Sequence, residues 1–210
     1  MNTTWKNHLL PDIATLKDQR VVIRLDWNMP VVDGKIIDTS RFDVTVPFLK
    51  DLSYRGVRMV LLTHFGEEGV SLKIIADHVT KTLPFIKFIP TLDFNELHVH
   101  ADHMMAGEAI LLENVRLWKG EKENIPSLGR SFAGLGTVFI NNAFSVAHRA
   151  HASVVGIADN MLSYFGPTFE RELSHLSLAF LPEKPALFIL GGAKFETKLP
   201  ILKKYLKTAD

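Results

Sequence analysis

Four separate stretches of this 210-residue chain carry Arg, His or amide side chains directly after short apolar runs. They are DWN at 26–28, THFG at 63–66, NVR at 114–116 and HRAH at 148–151, which bring in Asp26, Asn28, His64, Arg116 and Arg149. Arg24 lies inside the first apolar run, and Arg41 opens the first helical stretch. Arginine suits phosphate and carboxylate because its planar fork gives paired, charge-assisted hydrogen bonds. A single Arg or His past a strand is ordinarily a solvated loop residue, and Asp26 alone could cap a turn. Several such groups delivered to one edge of a near-neutral protein predict a site for an anionic small molecule.

Two further clusters compete for attention. GGAKFETK at 191–198 offers two glycines that let backbone approach a ligand, with Lys194 and Lys198 on one helical face, a pair of ammonium groups for phosphates. A glycine pair before an ordinary amphipathic helix is at least as common. Neither the dinucleotide fingerprint G-x-G-x-x-G nor the P-loop pattern occurs. The second cluster is HVHADH at 98–103, whose His98, His100 and His103 could ligate zinc. On a helix only His100 and His103 share a face, and a third ligand would have to come from elsewhere. An exposed His-rich helix is the simpler reading, and Arg149 between His148 and His151 disfavours a cation there. No metal site is expected.

The elements that must position these residues follow from hydrophobic period. Apolar runs lie at 21–25, 57–62, 84–89, 109–113, 137–141 and 186–190, and the stretches 41–55, 72–83, 94–105, 127–135 and 169–180 between them are long enough for helices. Runs apolar at successive positions suit strands buried on both faces, as in a parallel sheet covered by crossover helices. The expected fold is therefore α/β: a three-layer sandwich around a six-stranded, mainly parallel, Rossmann-like sheet. In such sheets ligands bind outside the carboxyl ends of the strands, which is where the Arg- and His-bearing loops begin. Asp33-Gly34 is a turn dipeptide, Gly56 suits a helix C-terminus, and Ser71 and Asp93 sit where N-caps are wanted. Pro47 should bend the first helix or delay its start.

Composition narrows the class. With 47% apolar and 22% charged residues the chain is globular, and at roughly 150 residues per domain it has length for one large domain or a little more. A division into 1–182, a substrate-binding domain, and 183–210, the start of an incomplete second domain, is expected from the stiff LPEKP connection at 181–185. Net charge is +1, so nucleic acid and anionic membrane exert no general pull. The absence of Cys excludes disulfides and thiolate metal sites and is comfortable in the cytoplasm. The first twenty residues lack the apolar run of a signal peptide, and 131–147 is a poor bilayer span, better read as a buried strand with flanks.

At the same residues the chain resembles the N-terminal half of phosphoglycerate kinase. RLDWNMP at 24–30 is similar to the family's R-V-D-F-N-V-P, THFG at 63–66 to S-H-L-G, and LLENVR at 111–116 reproduces L-L-E-N-V-R. NNAF at 141–144 resembles N-D-A-F, AHRAHAS at 147–153 matches A-H-R-A-H-A-S, and GGAKFETK resembles G-G-A-K-V-x-D-K. The resemblance implies that Asp26, Asn28, Arg41, His64, Arg116 and Arg149 hold 3-phosphoglycerate or 1,3-bisphosphoglycerate, with Arg24 adding positive potential. It implies that Arg41 and Lys194 act in transfer, and that Lys194 and Lys198 meet the phosphates of ATP or ADP, with magnesium on the nucleotide. The reaction so implied, between 1,3-bisphosphoglycerate and ADP, needs positioning and charge neutralisation. A cytoplasmic monomer in glycolysis is the corresponding expectation.

Departures from the pattern set an alternative beside it. Glu67 and Glu68 follow Gly66 where the family has an Arg, and an inward-facing reversal would cost roughly 2 to 5 kcal/mol of phosphate binding. Asn142 replaces an Asp and Ser145 a Gly. Family members are roughly twice this long. The alternative is a catalytically incomplete module that binds a phosphorylated small acid without turnover.

Overall fold

The computed structural model describes residues 4–66, 69–179, 183–187, 189, 199, 202, 203 and 206. Two compact units divide the chain, Met1–Phe169 and Glu170–Asp210, and the anion-site candidates with described coordinates belong to the first. That unit contains β1 (Arg20–Arg24), β2 (Val31–Val32), β3 (Lys35–Ile36), α1 (Ser40–Asp43), α2 (Val46–Tyr54), β4 (Arg58–Leu62), α3 (Lys73–Thr82), β5 (Ile86–Ile89), α4 (Phe94–Asp102), β6 (Ala109–Leu112), α5 (Pro126–Ala133), β7 (Val138–Asn141) and β8 (Leu162–Phe165). Helix α6 (Pro167–Ala179) begins at its end.

Six strands pair in parallel in the order β5-β6-β4-β1-β7-β8. Their side chains alternate between two apolar cores, as the period of a strand requires. Val21 and Ile23 of β1 join Met59 and Leu61 beneath α2 and α3, whereas Val22 joins Val60 and Leu62 beneath α4 and α5. Three layers result, with β1 at the centre.

Local chemistry explains most boundaries. The first helical stretch breaks at Val44 and Thr45, and Pro47 falls in the first turn of α2, where its missing N–H costs nothing. Asp93 caps α4 by accepting from Asn95 N at 2.9 Å. Leu72, not Ser71, is the N-cap of α3, although Ser71 Oγ still accepts from Lys73 N at 3.2 Å. Asp33 and Gly34 take φ of 49° and 71°, the two left-handed residues of the tight turn joining β2 to β3.

The count of six strands holds with one member exchanged. β8 is the sixth strand of the sheet, and its LSYF sequence is only half-buried, an edge strand without the apolar continuity that marks the four inner strands. The expected strand at 186–190 is described only at 186, 187 and 189, and these carry no strand.

Candidate anion site

The carboxyl ends of the central strands sit level. Arg24 registers with Leu62 on one side and with Asn141 on the other, so the loops after β1, β4 and β7 leave the sheet together. The loop after β6 joins them through Asn114, which is fully buried. Its Oδ1 accepts from Phe65 N at 3.3 Å and Arg116 N at 3.1 Å, and its Nδ2 donates to Phe65 O at 2.6 Å and Val70 O at 2.8 Å. Asn28 Oδ1 accepts from Gly66 N at 3.0 Å, and the Arg116 guanidinium donates to Gly66 O. The His64 loop is thus pinned by the loops that follow β1 and β6.

Arg24 lies at the centre, 1% exposed. Its guanidinium donates to Leu25 O, to Ser153 Oγ at 3.0 Å and to His64 Nδ1 at 3.3 Å. Burial lowers its pKa to about 10, with Glu121 and then Asp26 opposing that fall, and Arg116 and Arg149 adding to it. His64 is pushed down to about 2, first by burial and then by the positive charges of Arg24, Arg116, Arg149 and Arg41. The ring is neutral at physiological pH. Arginine has no acceptor, so the contact with Arg24 makes Nδ1 the acceptor and leaves the proton on Nε2.

Asp26 stands opposite. Its Oδ2 accepts from Arg41 and from Ser145 Oγ at 2.6 Å, while its Oδ1 is buried with no hydrogen-bond partner. A carboxylate oxygen left so is costly unless a ligand supplies the donor. Arg41 and Arg149 are exposed and Arg116 is half-buried. A cavity of about 430 Å³ adjoins Arg116, lined also by Trp118, Lys119, Gly120 and Glu123. The arrangement can bind an anion through guanidinium groups and the Nε2–H of His64, and can accept one hydroxyl at Asp26.

The expected residues Arg24, Asp26, Arg41, His64, Arg116 and Arg149 therefore share one edge, and Asn28 holds the Gly66 turn beside it. Lys194, Lys198, Glu67 and Glu68 lie outside the described residues. On α4, His103 Nδ1 lies 2.7 Å from Val99 O and His100 Nε2 lies 3.8 Å from Glu96, and among the described residues no three His, Asp or Glu side chains gather.

Sequence reasoning missed a buried carboxylate. Glu121, 1% exposed, accepts from Ser153 N at 2.9 Å and from Ser153 Oγ, and lies 3.7 Å from His151 Nδ1. Burial raises its pKa, with the charge of Arg24 and the bonds from Ser153 opposing. Ser153 itself belongs to a turn of π-helix, Ala152–Gly156, against which α5 packs so closely that a Cβ on Gly129 would meet Gly156 backbone at 2.6 Å. No spacing rule links Ser153 to Arg24 across 129 residues. The one sequence signal was that Ser153 ends the AHRAHAS motif.

Residues 10–210 match the family model described as phosphoglycerate kinase. Among curated relatives, the phosphoglycerate kinase of Sinorhizobium medicae is 37% identical over 96% of this chain and 52% of its own length. That of Listeria welshimeri is 38% identical over 93% and 52%. The structure of phosphoglycerate kinase from Coxiella burnetii superposes with a TM-score of 0.82 at 34% identity, over 93% of this chain and 51% of that one. The corresponding crystal structure from Pyrococcus horikoshii gives 0.84 at 27% identity. The chain spans about half the length of the curated relatives it matches.

Proposed function

The chain belongs to the phosphoglycerate kinase family, and we propose that its first unit binds 3-phosphoglycerate as the acid-substrate half of phosphoryl transfer between 1,3-bisphosphoglycerate and ADP. The observation that carries this reading is the neutral, buried His64 set among four guanidinium groups. Arg41, Arg116 and Arg149 neutralise the phosphate and carboxylate. His64 Nε2–H donates to one of those groups, and Asp26 Oδ1 accepts the substrate hydroxyl. Asn28 holds the Gly66 turn in place.

Transfer asks for in-line positioning and charge neutralisation, with little covalent chemistry. Arg41, half exposed at the start of α1 and tethered by Asp26, neutralises charge on the phosphoryl group as it leaves the acid. Lys194 and Lys198 are the residues assigned to the transferred group and nucleotide phosphates. Magnesium on the nucleotide supplies further neutralisation when bound.

Calorimetric titration tests the reading. 3-Phosphoglycerate should bind with an affinity that falls as salt rises, and Arg149→Ala should weaken it at least about tenfold, the loss expected for one hydrogen bond to a charged group. Absence of binding at millimolar ligand would overturn it.

A further inference from the structure

We propose that Glu121 and Ser153 are positioning residues that lock Arg24 and thereby hold His64 as the Nε2–H tautomer which the anion meets. This rests on the acid-substrate reading above for what His64 does, but not for which ring nitrogen carries its proton.

The chain of contacts runs inward from the ligand edge. His64 Nδ1 accepts from Arg24 at 3.3 Å, Arg24 Nε donates to Ser153 Oγ at 3.0 Å, and that hydroxyl donates in turn to Glu121 Oε1. Each member has one consistent role. Arginine can only donate, so Ser153 Oγ must accept from it and has its single proton free for the carboxylate. Glu121 Oε2 accepts the Ser153 amide at 2.9 Å, and Glu121 O accepts Ala152 N at 2.9 Å. Turning the serine side chain away would break two hydrogen bonds, one to Arg24 and one to Glu121. All four side chains are at most 4% exposed.

Glu121 also answers the charge question. Arg24 is buried beside Arg116 and Arg149, an arrangement that drives its own charge out unless a carboxylate is near. Glu121 is the strongest influence in that direction, ahead of Asp26. Among the described residues His64 Nε2 has no hydrogen-bond partner. A ring free to exchange tautomers would present an acceptor lone pair to an anion part of the time. Fixing Nδ1 as acceptor removes that option, which is pre-organisation of the kind that raises affinity without adding a contact.

Long-range proton–nitrogen spectra of the full 15N-labelled chain, without ligand, read the tautomer directly, with His64 assigned by loss of its signals in His64→Gln. Wild type should show only the Nε2–H form across neutral pH. Ser153→Ala and Glu121→Gln should each give a mixture of tautomers, and Ser153→Thr, which keeps the hydroxyl, should restore the single form. In titration, Ser153→Ala should weaken 3-phosphoglycerate in proportion to the Nε2–H population it loses, about twofold for an equal mixture. An Nδ1–H or protonated His64 in wild type would overturn the proposal even if neither variant folds. So would an unchanged single tautomer in both variants. A Ser153-dependent tautomer in a protein that does not bind 3-phosphoglycerate would instead uphold the positioning and overturn the function proposed for the site.

Discussion

Strand β1 carries an arginine at each end, and their surroundings differ in kind. At the amino end Arg20 pairs with Asp102, which is exposed, and one buried Nε–H of Arg20 stays unbonded. Its cross-strand partner Arg58 donates to the backbone carbonyl of Asp18 at 2.6 Å, and on the edge strand β5 Lys87 pairs with Glu108 at 3.0 Å. At the carboxyl end Arg24 is buried, faces like charges from Arg116 and Arg149, and shares the buried carboxylate Glu121 and the half-buried Asp26 with them. The amino end keeps its cations in exposed contacts, two of the three with a carboxylate. The other gathers more guanidinium than carboxylate and leaves Asp26 Oδ1 unsatisfied. Self-repulsion of this sort is retained where a ligand relieves it, which is why the two ends of one strand teach more about function than either does alone.

The comparison breaks most visibly under substitution. Arg24→Met should destabilise by about 3 to 5 kcal/mol in urea unfolding at neutral pH, because it leaves the Glu121 carboxylate buried without its partner. Asp102→Ala, at the exposed amino end, should leave the unfolding curve nearly unchanged. Equal losses would erase the distinction.

Acid sharpens it further. Folded His64 takes up no proton down to about pH 2, whereas the unfolded ring takes one near pH 6.5. Below about pH 6.5 the unfolded state thus binds more protons, and stability falls as acid is added, by up to about 1.4 kcal/mol per pH unit from this group. His151, whose pKa burial and Arg149 also lower, works in the same direction. His64→Gln should flatten the profile between about pH 6.5 and pH 4. A slope unaltered by that change would place the acid sensitivity elsewhere.

Not every unsatisfied atom at the carboxyl end points to an anion. Asn142 Oδ1 accepts from Thr168 N at 2.8 Å and Phe169 N at 3.4 Å at the start of α6, while its Nδ2 is buried without a partner. Asn142→Asp exchanges that idle donor for a charge at a helix N-terminus and should stabilise by about 1 kcal/mol. Loss of stability on this change would mean that the buried amide is doing something the hydrogen bonds do not reveal.

Much of this was legible in the residues. Four strands announced themselves because they are apolar at consecutive positions, and the loops that follow them begin with the groups that meet at the site. β8 escaped because an edge strand half open to solvent needs no apolar run. Glu121 and Ser153 escaped because a carboxylate acting through a hydroxyl leaves no spacing signature; only folding brings 121, 153 and 24 together. Ser145 was visible only as a departure from the family pattern, yet it donates to the same Asp26 oxygen as Arg41.

The most direct test follows the arginine side-chain Nε–H signals as 3-phosphoglycerate is added. Arg24, Arg116 and Arg149 should shift in a saturable, salt-sensitive manner while Arg20 and Arg58 stay still. Shifts of equal size at both ends of β1, or none at either, would contradict the assignment of the carboxyl edge as the anion site.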